Sequence, residues 1–332
     1  MYYKIEELLL NLKYTWKIAR NTSDFKRNLI VTIGDNFHVG KGEAAPNTRY
    51  GETPEELVKN FNSLIDNGLD KVAHFNDLQH FLASHQIFNS LRFALEQAFI
   101  NYWCKKEGIN LHQFLGLEPD NGIVQTVFSL PIMPVNEIGS FFIRHQLNRF
   151  KGIKIKINKE NAKETVFEVA KLGAEYLYVD GNETWQNPDD VLAWQREVKN
   201  LPISMLEQPM PSSIINEYKA LKKESIFPII ADESVTNQEI TTEFHSQFHG
   251  INMKLMKAGG ILKGLEMLKQ AKSLNMLTMV GCMVETSLGI SAALPLCKNV
   301  NFVDLDGFLI IENEPFNLLK EKNGIISTTE FI

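Results

Sequence analysis

The chain has 332 residues, 44% hydrophobic and 22% charged, a globular composition long enough for one large domain and a smaller companion. A net charge of −6, with basic residues only in short groups such as Lys17/Arg20 and Lys105/Lys106, speaks against a nucleic-acid partner. Three cysteines without metal-type spacing (Cys104, Cys282, Cys297), acidic Glu6 and Glu7 where a signal peptide is basic, and no apolar run of about 18 residues fit a reduced, cytoplasmic protein with no membrane segment.

Residues 1 to 45 read as extended segments. Leu29–Ile33 is rich in β-branched residues, and Gly34, Gly40, Gly42 and Pro46 punctuate the next stretch of chain. Thr53-Pro54-Glu55-Glu56 is a helix start: an N-cap, proline at the first helical position, and acids in the first turn. Between Leu91 and Trp103, the residues Leu91, Leu95, Ala98, Phe99 and Tyr102 recur at helical spacing and predict a buried helix. Helical pattern runs to residue 116, so residues 1–120 form an α+β unit.

From residue 125 the texture changes. Short apolar runs recur, most ending in a charged residue: Ile153–Lys156, Tyr176–Asp180, Ile203–Glu207, Pro228–Asp232, Ile251–Lys254, Leu277–Cys282 and Phe302–Asp306. Thr126–Leu130 makes an eighth. A strand, a polar tip and a helix (Glu164–Leu172 and Leu262–Leu274 among them), repeated about every 25 residues, is the rhythm of a parallel (β/α) barrel of the TIM type. An open doubly wound sheet is the alternative, but it does not bring so many ionisable strand ends to one place.

The tips carry the chemistry. In Ile153-Lys154-Ile155-Lys156-Ile157 the period of two turns both lysines to one face, and the isoleucines suit the helix-covered outside, so the lysines point inward. Side by side they are expected to depress each other's pKa, as a lysine base requires. Lys-x-Lys alone reads better as a solvated edge, and the case rests on the other strand ends. Asp180, Glu207 and Asp232 end three successive strands, and such a group of hard oxygens without His or Cys calls for Mg²⁺. Lys254 ends the next strand, across the mouth from Lys156. A metal that holds a carboxylate, with a lysine on each side, suits removal and return of the proton on the adjacent carbon. Asp304 and Asp306 share a face of the last strand and, if no lysine neutralises them, want an ammonium ligand. Gly259-Gly260 ahead of a helix reads as a turn rather than a phosphate site.

These residues resemble the muconate-lactonizing-enzyme subgroup of the enolase superfamily. The matching motifs are Lys154-x-Lys156, Asp180-x-Asn182-x-x-Trp185, Leu206-Glu207-Gln208-Pro209, Ala231-Asp232-Glu233-Ser234 and Lys254-x-x-Lys257-x-Gly259-Gly260. Gly42-Glu43-Ala44-Ala45-Pro46, Arg49-Tyr50-Gly51-Glu52, Gly281-Cys282-Met283 and Ile290–Leu296 are similar to dipeptide epimerases in particular.

The resemblance implies a modified TIM barrel over residues 121–308, capped by residues 1–120 with the tail 309–332. It implies Mg²⁺ held by Asp180, Glu207 and Asp232, with Lys156 and Lys254 as acid/base residues and Lys154 supporting. The substrate would be a dipeptide, its ammonium held by Asp304 and Asp306. Asn182, Met283, Arg20 and Arg49 are further substrate-side candidates, and Glu285 is an acid near the mouth. Assembly into a homo-oligomer is left open. A lyase of the same subgroup is the rival activity, although its anionic substrates suit Asp304 and Asp306 poorly. A ligand-binding relative without activity would be expected to lack one of the lysines or metal acids, and none is missing.

Overall fold

The computed structural model describes residues 1–18, 21–118 and 122–329. The chain opens with two long antiparallel strands, β1 (Tyr2–Ile18) and β2 (Asn21–Gly34), and β3 (Val39–Ala44) pairs with the free edge of β2. The apolar half of β2 supplies the buried Leu29, Val31 and Ile33. α1 (Pro54–Asp66) begins as its sequence dictates, with the Thr53 hydroxyl accepting the Glu56 N–H. α2 (Phe75–Ser84), α3 (Asn89–Glu107) and α4 (Leu111–Leu115) come next.

α3 is apolar on more than one side because it is packed on more than one side. Leu91, Ala94, Leu95, Ala98 and Phe99 join the core under β2 and α1. Phe93, Ile100 and Cys104 join the larger core around the barrel. Contact with β3 is closer than side chains allow: a Cβ on Gly42 would lie 2.0 Å from the Ala94 carbonyl oxygen.

After β4 (Ile123–Gln125) come the barrel strands: β5 (Phe128–Leu130), β6 (Gly152–Lys156), β7 (Tyr176–Asp180), β8 (Ile203–Glu207), β9 (Ile229–Ala231), β10 (Gly250–Lys254), β11 (Leu277–Gly281) and β12 (Phe302–Asp304). They form one parallel sheet in chain order, the predicted TIM-type architecture. The two end strands are joined by side chains: the Leu305 N–H donates to Thr126 Oγ1 at 2.9 Å and Ser129 Oγ to Asp304 at 3.0 Å. Ile153 and Ile155 face the helix-side core, while Val127, Tyr178, Met205, Ile230 and Met279 form a separate cluster. Asp232 and Asp306 fall just beyond β9 and β12, so both predicted strands are shorter than expected.

The chain then returns to its start. Leu12 and Ile311 form a β-bridge, and β13 (Leu319–Lys322) and β14 (Ile325–Thr328) extend an antiparallel sheet from β4. No described helix is long and apolar enough to cross a membrane, and all three cysteines are free. Because Gly42 is pressed against α3, Gly42→Val should destabilise the protein by about 3 kcal/mol. A thermal melt within about 2 °C of wild type would refute that packing.

Candidate active site

The C-terminal ends of the barrel strands bring the predicted residues together below β1–β3. Lys154, buried inside, is the hub: its Nζ lies 2.8 Å from Glu207, 2.8 Å from Asp304 and 3.4 Å from Asp180. Lys156 lies 2.6 Å from Asp180 on the neighbouring strand. Across the mouth, Lys254 lies 2.8 Å and Lys257 2.5 Å from the two oxygens of Asp232. Asp180, Glu207 and Asp232 stand between Lys156 and Lys254 in strand order, as the sequence predicts.

The expected mutual depression of the lysines is not what this geometry produces. Burial pulls the pKa of Lys154 down, but Asp304, Glu207 and Asp180 outweigh it and hold it well above the ordinary value. Lys254 is likewise raised, with Asp232 overcoming burial. In these two lysines the acids they touch outweigh burial, whereas Lys257, also against Asp232, is held below the ordinary lysine value by its burial.

The acids divide in the same way. For Asp180 and Asp232 burial acts upward, yet their lysines hold both below the usual carboxylate range. Glu207 is pushed up to about 8 by burial, with Asp180 and Asp232 adding to the rise. Asp304 is neutralised by Lys154, contrary to the expected unneutralised pair. Asp306 touches no lysine. It accepts the Ser129 N–H at 2.5 Å, and burial beside Asp304 pushes it up to about 7.

Whether the three carboxylates fit a divalent ion turns on their chemistry. Among the described residues no three potential ligands converge as they stand, because each acid is turned onto an ammonium. Their chemistry nevertheless fits. All are hard oxygen donors on three consecutive strand ends, close enough that Asp180 and Asp232 both raise Glu207. Asn182 and Asn252 steady two of them: the Asn182 amide donates to Asp180 at 2.8 Å and the Asn252 amide to Glu207 at 2.9 Å. Asn182 thus sits against a candidate metal acid as well as lining the cavity.

A cavity of about 950 Å³ opens above these groups, lined also by Tyr50, Met283 and residues of β2. Arg49, a substrate-side candidate, lines the cavity and bridges to Glu183 at 2.7 Å and Ser212 at 3.3 Å, tying the Thr48–Tyr50 turn to the barrel. Arg20 lies outside the described residues. Gly259-Gly260 is indeed a turn: the helix it precedes, Ile261–Ser273, has its N-terminal Ile261 and Leu262 N–H groups capped by the Glu96 carboxylate from α3. Ser129 and Asn252 escape the sequence reading, and Lys257 enters it only as a motif residue, without its contact to Asp232. The period of two that turns Lys154 inward with Lys156 also places Asn252 with Lys254.

Residues 142–320, over half the chain, match the family Enolase C-terminal domain-like, and the chain belongs to that family and to the enolase superfamily. It is 30% identical to the L-Ala-D/L-amino acid epimerase of Pedosphaera parvula, covering 96% of this chain and 93% of the relative. It is 29% identical to the Flavobacterium johnsoniae enzyme of the same name, over 97% of this chain and 95% of that one. The substrate-liganded L-Ala-D/L-Glu epimerase from Bacillus subtilis superposes with a TM-score of 0.89 at 26% identity, covering 99% of this chain and 96% of that one.

Glu285, buried beneath the cavity, accepts the Met283 N–H at 2.8 Å, and burial beside Glu43 pushes it up to about 8. A carboxyl raised in the fold favours its protonated form there, so its contribution to stability falls as pH rises from about 4.5 to about 8. Glu285→Gln should therefore gain on wild type as denaturation is measured at successively higher pH across that window. A constant difference would show that Glu285 is not held protonated.

Proposed function

We propose that the protein is a magnesium-dependent dipeptide epimerase, an isomerase that removes and returns the proton on the α-carbon of a dipeptide's C-terminal residue, with L-Ala-D/L-Glu or a related dipeptide as substrate. The observation that carries this reading is the pair of lysines, Lys156 on β6 and Lys254 on β10, on either side of the strand ends that bear Asp180, Glu207 and Asp232. In this reading residues 1–120, with the tail 309–332, cap a barrel of residues 121–308. The free cysteines suit a cytoplasmic setting.

Asp180, Glu207 and Asp232 would hold Mg²⁺. When bound, the ion supplies the positive charge that fixes the substrate carboxylate and eases loss of the neighbouring proton. Lys156 and Lys254 then take and return that proton from opposite faces, which inverts the centre. Lys154 keeps Asp180, Glu207 and Asp304 together. Asp306, the carboxyl without a lysine, receives the dipeptide's ammonium, with Asp304 beside it. A dipeptide carries its two charges far enough apart to reach both ends, whereas a free amino acid bears them on one carbon. An anionic lyase substrate offers nothing to Asp306.

Replacing Lys156 or Lys254 with alanine should abolish epimerisation of L-Ala-L-Glu in D₂O, while each variant exchanges the α-hydrogen of one epimer only. Excess EDTA should stop exchange in the wild type. Near-normal epimerisation by both single variants would remove the two-base assignment. Separately, N-acetylation of the dipeptide should lower kcat/KM by roughly ten- to a hundredfold, since a hydrogen bond to a charged group is lost. Equal turnover of both peptides would end the ammonium role of Asp306.

A further inference from the structure

Neither the proton transfer nor the cavity wall uses one buried side chain at the strand ends. Gln208, fully buried, follows Glu207 at the end of β8 with φ +35°. Most left-handed residues among the described ones are glycine or asparagine, and in a residue with a longer side chain such backbone persists only where the surroundings hold it. Here they hold it on both flanks. The Gln208 N–H donates to the Ile230 carbonyl of β9 at 2.9 Å, and its carbonyl accepts the Glu183 N–H from the loop after β7 at 2.8 Å.

The side-chain amide meets groups that admit one orientation. The Asp232 and Ser234 N–H groups, at 2.9 and 3.0 Å, can only donate, so the amide oxygen faces them. The Met210 carbonyl, at 3.1 Å, can only accept, so the amide nitrogen faces it, with the hydroxyls of Tyr218 and Ser234 each at 2.8 Å. A carboxylate here would set an oxygen against the Met210 carbonyl. An aliphatic side chain would leave the Asp232 and Ser234 N–H groups without an acceptor. The position therefore calls for an amide of this length, which also adds no charge beside Glu207 and Asp232.

The backbone of Asp232 is placed by this amide rather than by the sheet. The β8–β9 ladder pairs Leu206 with Ile229 and Glu207 with Ile230, and β9 ends at Ala231, one residue short of Asp232. Resting on the reading that Asp180, Glu207 and Asp232 hold Mg²⁺, we propose that Gln208 is a positioning residue that sets the spacing of these three carboxylates and thereby the affinity for the ion. Glu207 precedes it in the chain, Asp232 is held by its side-chain oxygen, and the loop that continues from Asp180 is held by its carbonyl.

Calorimetric titration of the substrate-free protein with Mg²⁺ tests this. Gln208→Leu removes both halves of the amide. Gln208→Asn keeps the amide and suits a left-handed backbone, but its shorter side chain does not reach Asp232. Each should raise the Kd for Mg²⁺ by about ten- to a hundredfold. Deuterium uptake by L-Ala-L-Glu, lost at a Mg²⁺ concentration that suffices for wild type, should return once Mg²⁺ exceeds the new Kd, a rescue that a damaged fold would not give. Should Gln208→Leu fail to fold, Gln208→Asn decides alone. Wild-type Mg²⁺ affinity in Gln208→Asn, or uptake that saturating Mg²⁺ does not restore, overturns the proposal and leaves the metal reading standing. A wild-type protein that binds no Mg²⁺ sinks both.

Discussion

Carboxylates brought together out of water repel one another, and the mouth of this barrel is arranged around that repulsion. Asp180, Glu207, Asp232, Asp304 and Asp306 meet four ammonium groups there, and Lys154 alone touches three of the acids. Removing its charge would leave Glu207 and Asp304 each without a lysine. The balance is incomplete at two points on either side of Lys154: Glu207 among the acids of β7–β9, and Asp306 beyond β12. Burial favours the neutral carboxyl at both points, and a positive ligand at each, a metal ion at one and an ammonium at the other, would favour the ionised form. The polarity of the pocket is set by where the lysines stop.

Much of this is legible in the chain because a barrel repeats. The recurrence of apolar run and charged tip locates all eight strands, and the alternation in Ile153–Ile157 turns the two lysines inward. What the repeat does not convey is contact between strands distant in sequence. Asp304 reads as unneutralised because Lys154 lies 150 residues earlier, and only the closing of the sheet brings them to 2.8 Å. For the same reason the pKa of Lys154, argued from its neighbour along the strand, misses the acids across it. Arg49 enters as a substrate-side candidate through the resemblance, and its carboxylate, Glu183, lies in the loop after β7.

The N-terminal elements and the barrel meet through buried polar side chains as well as apolar surface. Glu43 on β3 accepts the Thr286 and Gly289 N–H groups and the Asn28 amide, and Gln97 on α3 donates to the Leu288 carbonyl. These side chains satisfy backbone groups of the segment after β11, beside the cavity wall formed by Met283 and Val284. The geometry of that wall is therefore set from both sides of the junction.

Glu96 carries this furthest. Gly260, at φ +155°, leaves room for its carboxylate, which approaches so closely that a Cβ there would lie 2.8 Å from Oε2. The N-terminus of a barrel helix is thus completed by a residue encoded more than 160 positions earlier. For protein engineering, this makes the junction a poor place to exchange parts. A chimaera that grafts a foreign N-terminal region onto this barrel to alter selectivity would strip the Ile261 and Leu262 amides of their acceptor unless the donor carries an equivalent carboxylate. Recombination boundaries would therefore do better to keep α3 with the barrel and to vary β1 and β2.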